Sequence, residues 1–422
     1  MQEADVAEDH VMQLLPWVRV VDIFSVRLPL GADGPGPGPA DHVSERPATA
    51  AEPASGEMER MLRVGVIGVG GWTETCHIPG VQAHPEAQVV ALCGRAPERR
   101  QAQAARFGVP ETYGDFAELI ARAGVDAVTI STPNRWHFPI ARAALQAGKH
   151  VFCEKPLTMD RRESALLLEL AEQRGLVHQV AFTFRFLYAA HEARRLVRGG
   201  AIGPVRRILA VTEGGGALRP GAPARWRSEA ALSGYGLLGD MGSHLVDLAR
   251  FVSGGEFRRV RGAFWRIGQP ERPDGEHPGR MRAVTADDET EALCDFAVEG
   301  GGLAATAVHL RVSGLTPPPH RNYLEFVGET GYVRLPYSRG ETDTLFLGRG
   351  GAAPETVPLP AGAAPAPNHC LFRMMVAFVD ACLGRAQPSP ANHPATFADG
   401  HAAQRVLDAV ADAARGGAPV DL

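Results

Sequence analysis

No stretch of about 18 uncharged apolar residues occurs in the 422-residue chain, which excludes an ordinary membrane-spanning helix. The nearest approach, Val11–Leu30, is broken by Arg19, Asp22 and Arg27. A basic excess is missing too. Lys and Arg number 43 against 48 Asp and Glu, a net charge of −5, so a broad nucleic-acid-binding surface is excluded as the default. Cysteine is scarce and scattered: the six, at 76, 93, 153, 294, 370 and 382, form no CxxC pair. Cys93 and Cys153 close apolar runs, as buried reduced thiols do. The first ten residues are acidic (Glu3, Asp5, Glu8, Asp9) where a secretory signal wants basic ones. A cytoplasmic protein is expected.

What is present divides the chain in three. Over residues 1–60, Gly31–Ala40 alternates Gly and Pro and Pro47–Glu59 is rich in Ala, Pro and Glu. Neither has a helical or strand period, and a poorly ordered extension is expected. Residues 61–182 alternate apolar strand runs (Leu62–Val69, Gln88–Cys93, Ala127–Ile130, His150–Cys153, Val177–Phe182) with helical patterns (Glu98–Phe107, Phe116–Ala123, Phe138–Ala147, Arg161–Arg174). Near-continuous apolar strands at this spacing predict a doubly wound parallel sheet of the Rossmann kind, covered on both faces. Residues 183–422 predict an α+β domain with a large, mostly antiparallel open sheet. Its strands are expected at Val205–Glu213, Arg258–Gly268, Glu289–Val298, Leu303–Val312, Tyr323–Val327 and Tyr332–Leu335, with Gly-containing turns at Glu299–Gly302 and Gly328–Gly331. Helices are expected at Ala189–Arg198, Ser243–Val252, Asn368–Leu383 and Pro394–Ala414, and surface loops at Gly268–Thr285 and Gly348–Pro367.

The first strand runs into Gly68-Val69-Gly70-Gly71-Trp72-Thr73, a GxGxxG pattern with Thr73 in the third glycine's place. One glycine allows the tight turn and the next lets a pyrophosphate approach the backbone at a helix N-terminus. Thr73 is expected to loosen the packing of that helix without abolishing the site. Gly68, Gly70, Gly71 and Trp72 are therefore candidate cofactor-binding residues; a plain structural turn is the competing reading. The second strand ends Cys93-Gly94-Arg95. The acid that would bind the ribose 2′-hydroxyl of NAD is missing, and a guanidinium suited to a 2′-phosphate stands beside the position. Gly94 and Arg95 thus favour NADP over NAD; the alternative is that Arg95 stacks on adenine or is simply exposed. Two further loops follow strand ends, where open α/β sheets bind ligands. One carries Thr132, Pro133, Asn134 and His137, the other Glu154, Lys155 and Pro156. A lysine beside a dinucleotide suits polarising a substrate oxygen; a surface lysine is the bland alternative.

GVGGW, TPN with His137, AGKHVFCEKP and the later Leu238-Gly239-Asp240-Met241-Gly242-Ser243-His244-Leu245-Val246-Asp247 together resemble the glucose–fructose oxidoreductase / inositol dehydrogenase (Gfo/Idh/MocA) family over about residues 61–415. The resemblance implies NAD(P)-dependent oxidation or reduction of a carbinol or carbonyl carbon on a sugar, inositol or related polyol. It implies that Lys155 is the catalytic lysine and that Asp240 and His244 form the acid–histidine pair. It also implies a homodimer or homotetramer formed through the C-terminal sheet. Asp240 and His244, at i and i+4, share a face if the helix has begun by Asp240, whereas Asp247 reads as structural. Arg185, Arg225, Trp226 and Tyr235 are candidate substrate contacts, each with packing as its alternative. Asp240 and His244 also have the spacing of a metal pair, but no third ligand is evident and no metal is expected. Two other functions fit the same motifs: NAD-dependent glycoside cleavage by transient oxidation, and a cofactor-sensing regulator without catalysis.

Overall fold

A computed structural model describes residues 61–298, 306–337, 344–359, 369–385 and 393–422. The expected extension over 1–60 and the turn at Glu299–Gly302 lie outside the described residues.

Six strands, β1 (Leu62–Ile67), β2 (Ala87–Cys93), β3 (Glu111–Tyr113), β4 (Ala127–Ile130), β5 (His150–Cys153) and β6 (His178–Val180), form a sheet ordered β3-β2-β1-β4-β5-β6. Every pairing in it is parallel. The order reverses at β1/β4, the switch point at which such sheets bind ligands. Intervening helices are α1 (Ile78–Gln82), α2 (Pro97–Phe107), α3 (Phe116–Arg122), α4 (His137–Gln146) and α5 (Arg161–Arg174). Asp115 and Asp160 cap α3 and α5 by accepting backbone N–H bonds, and Gly108 and Gly175 end α2 and α5 in the left-handed region. The short strand β3 is legible only in retrospect. The helix expected after the glycine loop begins with a π-turn at Thr73–His77 before α1, an irregular winding with no regular helical period.

The second sheet has nine strands: β7 (Val205–Glu213), β8 (Gly255–Arg266), β11 (Glu289–Val298), β12 (Thr306–Ser313), β13 (Asn322–Gly328), β14 (Gly331–Pro336), β15 (Phe346–Arg349), β16 (Glu355–Thr356) and β17 (Val420–Asp421). They are ordered β16-β15-β14-β13-β7-β12-β11-β8-β17 and antiparallel except at β12–β7. The loop expected over Gly268–Thr285 contains a small hairpin, β9 (Glu271–Pro273) with β10 (Met281–Ala283), and the one expected from Gly348 begins inside β15. Helices α6 (Tyr188–Arg198), α8 (Ser243–Ser253) and α10 (Phe397–Gly416) pack on one face of the sheet; α7 (Ala230–Ser233) is a single turn.

Helix α9 (His369–Cys382) returns to the first sheet. Its Leu371, Met374, Met375 and Phe378 share a buried cluster with Val64, Val66, Val89 and Leu92 of β1 and β2. Each such side chain contributes roughly 1.5–3 kcal/mol by leaving water. Gly80 permits the approach: a Cβ there would lie 2.5 Å from Met375 Cγ. Cys76, Cys93, Cys153 and Cys294 are buried, and burial pushes the Cys93 and Cys294 thiols up to about 12. Among the described residues, no helix is long and apolar enough to cross a membrane.

Candidate active site

The loop after β1 is shaped by its neighbours. Gly68 has φ +127°, and a Cβ there would lie 2.5 Å from Ser131 O at the end of β4, so glycine is required on both counts. A Cβ on Gly70 or Gly71 would meet nothing within 4 Å; this side of the loop is open, as a cradle for a pyrophosphate must be. Thr73 does not loosen the turn. Its buried hydroxyl donates to Gly68 O (3.0 Å) and lies 2.6 Å from Ser131 Oγ, tying the loop to β4. From α2, Gln103 Nε2 donates to Val69 O at 3.0 Å. A Cβ on Gly94 would stand 2.5 Å from Val69 Cγ1, so the end of β2 closes directly on the loop. Arg95 beyond it is exposed, its guanidinium 5.8 Å from the Trp136 ring centre. The geometry fits an adenine dinucleotide laid from Arg95 across the glycines toward β4 and β5.

At the end of β5, Glu154 is buried against His77, with Oε1 3.3 Å from His77 Nε2. Burial pushes its carboxyl up, but the hydrogen bond and charge of His77, with Lys155 and His137 nearby, hold it below its ordinary value. Lys155 follows, joined to Pro156 by a cis peptide. Its Nζ donates to Asp240 Oδ1 (2.6 Å) and to Asp240 O (2.7 Å). His137 is buried, with Nδ1 2.9 Å from Pro156 O and Nε2 3.0 Å from Thr132 O. It is a strap between the Thr132–Pro133 and Lys155–Pro156 loops, with both ring nitrogens engaged by backbone. Burial holds its pKa below the usual histidine value, against the two carbonyls. Asn134 Nδ2 donates to Ser233 O at 2.8 Å, joining the β4 loop to the α7 turn.

Asp240 and His244 do not share a regular helical face. Asp240 lies in a π-turn, Leu238–Gly242, and His244 in the first turn of α8. Asp240 therefore faces Lys155, while the buried His244 ring packs against Phe184 (centroids 4.5 Å apart) and Phe182 (6.0 Å). A residue the sequence did not single out sets this turn. The buried Asp287 accepts from Gly236 N (2.7 Å), Leu238 N (2.8 Å) and Thr290 Oγ1 (3.0 Å). Burial pushes its carboxyl up against those three bonds.

Two of the expected substrate contacts are committed elsewhere. Arg185 is buried, its Nε and Nη2 donating to Asp247 at 2.8 and 2.5 Å, with Asp399 2.8 Å from Nη2. Burial opposes its charge, and the two carboxylates more than restore it. Tyr235 lines the cleft but donates its hydroxyl to Asp408 Oδ1 on α10 at 2.8 Å. Arg225 is exposed beside the cleft. The cleft itself is lined by Asn134, Lys155, Trp226, Arg227, Tyr235 and Asp240 among others; Arg227 and Ser233 went unremarked in the sequence, although Arg227 adjoins Trp226. Among the described residues, Asp274, Glu276 and His277 are the one group close enough to share a metal ion. They form a surface turn in which Asp274 accepts from the other two backbones.

A glycine cradle at the switch point of a parallel sheet, facing a lysine–carboxylate pair in a cleft, defines an oxidoreductase with an NAD-binding Rossmann domain. The family model for that domain, described as an oxidoreductase family with an NAD-binding Rossmann fold, matches residues 62–182, and the model for the GFO/IDH/MocA C-terminal domain matches residues 190–334. Levoglucosan dehydrogenase of Pseudarthrobacter phenanthrenivorans is 31% identical over 301 residues, covering 66% of this chain and 74% of that protein. A dTDP-3,4-didehydro-2,6-dideoxy-alpha-D-glucose 3-reductase of Streptomyces violaceoruber is 38% identical over 210 residues, 50% of this chain and 59% of that protein. A solved levoglucosan dehydrogenase in complex with NADH and L-sorbose superposes with a TM-score of 0.74 at 27% identity, covering 85% of this chain and 98% of that one. The chain belongs to the Gfo/Idh/MocA family of oxidoreductases.

Proposed function

We propose that this protein oxidises a carbinol or reduces a carbonyl carbon of a sugar, inositol or related polyol, with NADP preferred to NAD. The observation that carries this reading is Lys155 Nζ held 2.6 Å from Asp240 Oδ1 in the cleft beside the glycine cradle. When bound, the nicotinamide accepts or supplies the hydride. Gly70, Gly71 and Trp72 would hold the pyrophosphate on backbone N–H groups, Gly68 shapes the turn beneath them while its own N–H donates to Cys93 O at 2.9 Å, and Gly94 and Arg95 would meet the adenosine end. Thr132, Pro133, Asn134 and Glu154 bound the nicotinamide end, with His137 fixing the spacing of their loops. Lys155 donates a hydrogen bond to the reacting oxygen and stabilises its alkoxide character. Asp240 keeps the ammonium aimed, through its carboxylate and its carbonyl oxygen. His244 accepts the hydroxyl proton in oxidation and returns it in reduction.

A spectrophotometric screen of sugars, inositols and their keto forms with NAD(H) and NADP(H) tests this. Turnover with at least one polyol is expected, with kcat/KM about tenfold higher for NADP, and Arg95→Ala is expected to erase most of that preference by removing one charge-assisted contact. Free sugar released with no net cofactor consumed would replace the reading with glycoside cleavage. Tighter NAD(H) binding would reject the NADP preference alone.

We also infer a homodimer or homotetramer built on the sheet face that α6, α8 and α10 leave bare. Phe264 and Leu293 are 44% and 40% exposed on β8 and β11, more apolar surface than a lone sheet face favours. Light scattering should report a multiple of the chain mass, and Leu293→Glu should lower it. With thiols free throughout the described residues, the cytoplasm is the compartment that suits the chain.

A further inference from the structure

The cleft holds a second cation that the reading above leaves unused. Arg227 Nε stands 3.5 Å from Asp240 Oδ1, the same oxygen that Lys155 holds at 2.6 Å. Among the described residues, Asp240 is the one carboxylate within ion-pair distance of Arg227. One acid thus faces two cations, and the nearer lysine has it. At 3.5 Å the guanidinium is beyond ordinary N–H···O length, and its side chain is 55% exposed. The neighbouring acids are engaged with another arginine: Glu229 and Asp274 lie 3.2 and 3.3 Å from Arg282. Arg227 is nevertheless well positioned. Its guanidinium centre lies 4.3 Å from the Trp226 ring centre, and both residues line the cleft. Stacking occupies the face of the guanidinium and leaves its N–H edge to bind in plane, the arrangement that receives a carboxylate or phosphate on two parallel bonds.

We propose that the substrate carries an anionic group, a carboxylate or a phosphate ester, which Arg227 binds while Lys155 holds the reacting oxygen. The substrate class is then a sugar acid or sugar phosphate rather than a neutral sugar. The proposal rests on the oxidoreductase reading above. Because Arg227 and Lys155 meet at one oxygen of Asp240, the anion and the reacting carbon belong to the same small molecule. On binding, the anion replaces Asp240 as the partner of Arg227, and Asp240 keeps Lys155. Arg227 is already largely in water, so the exchange demands no new burial of an unpaired charge.

The test compares matched substrates on the full chain: glucuronate, galacturonate and glucose 6-phosphate against glucose and galactose, each with NAD and NADP. For at least one acid or phosphate, kcat/KM is expected to exceed that of its neutral counterpart by about tenfold or more. Arg227→Gln should lower that ratio about tenfold, and Arg227→Lys by less, as expected for a close charge pair. Cofactor titration by fluorescence checks that both variants are folded. Preference for the acids identifies a carboxylate, and preference for the phosphate identifies a phosphate ester. Turnover of neutral sugars with no anion preference, or a preference that Arg227→Gln leaves intact, overturns the anion assignment and leaves the oxidoreductase reading standing. No turnover of any pair by a protein that binds cofactor and turns over a neutral polyol of the broader screen overturns the anion assignment, and no turnover in either panel overturns both.

Discussion

Lys155→Met is expected to lower kcat by about 10³-fold while changing cofactor affinity by less than about threefold, given that a single oxyanion-directed donor supplies about 10²–10³. Lys155 Nζ makes its bonds to the carboxylate and carbonyl oxygens of Asp240 in the cleft, and it is no part of the glycine turn itself. Losing it removes the donor proposed for the reacting oxygen and leaves the cradle as it is. Asp240 would not be stranded, because Arg227 remains 3.5 Å away; the loss should fall on chemistry and little on stability. Lys155→Arg should rescue poorly, since a planar fork cannot reproduce a point ammonium seated between two oxygens of one residue. Single-turnover rates and fluorescence titration of NADP(H) make the comparison. Activity within tenfold of the unmodified enzyme would remove Lys155 from the proposed chemistry.

His244 offers the second large effect and a cleaner separation of packing from proton transfer. Its ring fills a buried slot between Phe182 and Phe184, and Phe184 in turn lies 5.1 Å from Tyr337. His244→Ala would both empty that slot and remove a proton carrier, and the two losses would be confounded. His244→Phe keeps an aromatic ring there, at an overpacking cost of about 1–3 kcal/mol, and removes the ring nitrogens. It is expected to fold, to bind cofactor and to lose about 10²–10⁴ in kcat, the span of a general acid–base. A packing role alone would leave His244→Phe close to full activity, and that result would reassign the histidine.

How much of this was legible beforehand depends on the range of the interaction. The parallel sheet was readable because its strands are short apolar runs between turn residues, and strands buried on both faces have to be. The turn at Gly68 was readable because a glycine pattern directly after a strand is a local signal, whereas Lys155 and Asp240 were singled out by the motifs that carry the family resemblance, and their pairing spans 85 residues. Arg185 was misread for the opposite reason. Nothing near it in the chain reveals that Asp247 and Asp399, 62 and 214 residues away, share its guanidinium. Tyr235 meets Asp408 across 173 residues, and Asp287 reaches back 51 residues to the turn it shapes. The helix after the glycine loop was implied by the glycine pattern alone, since the π-turn that opens it has no 3.6-residue stripe.

Helix α9 bears on whether the halves of this molecule can be exchanged. The first sheet is built from residues 62–180, yet part of its hydrophobic cover arrives from His369–Cys382 after the chain has completed most of the second sheet. A fragment cut after β6 would bare Val64, Val89 and Leu92 where Met375 and Phe378 now lie. The cofactor-binding half is therefore not a cassette. Grafting it onto another substrate half, or changing cofactor use by swapping it whole, would require carrying this distant helix along, with Gly80 kept to receive Met375.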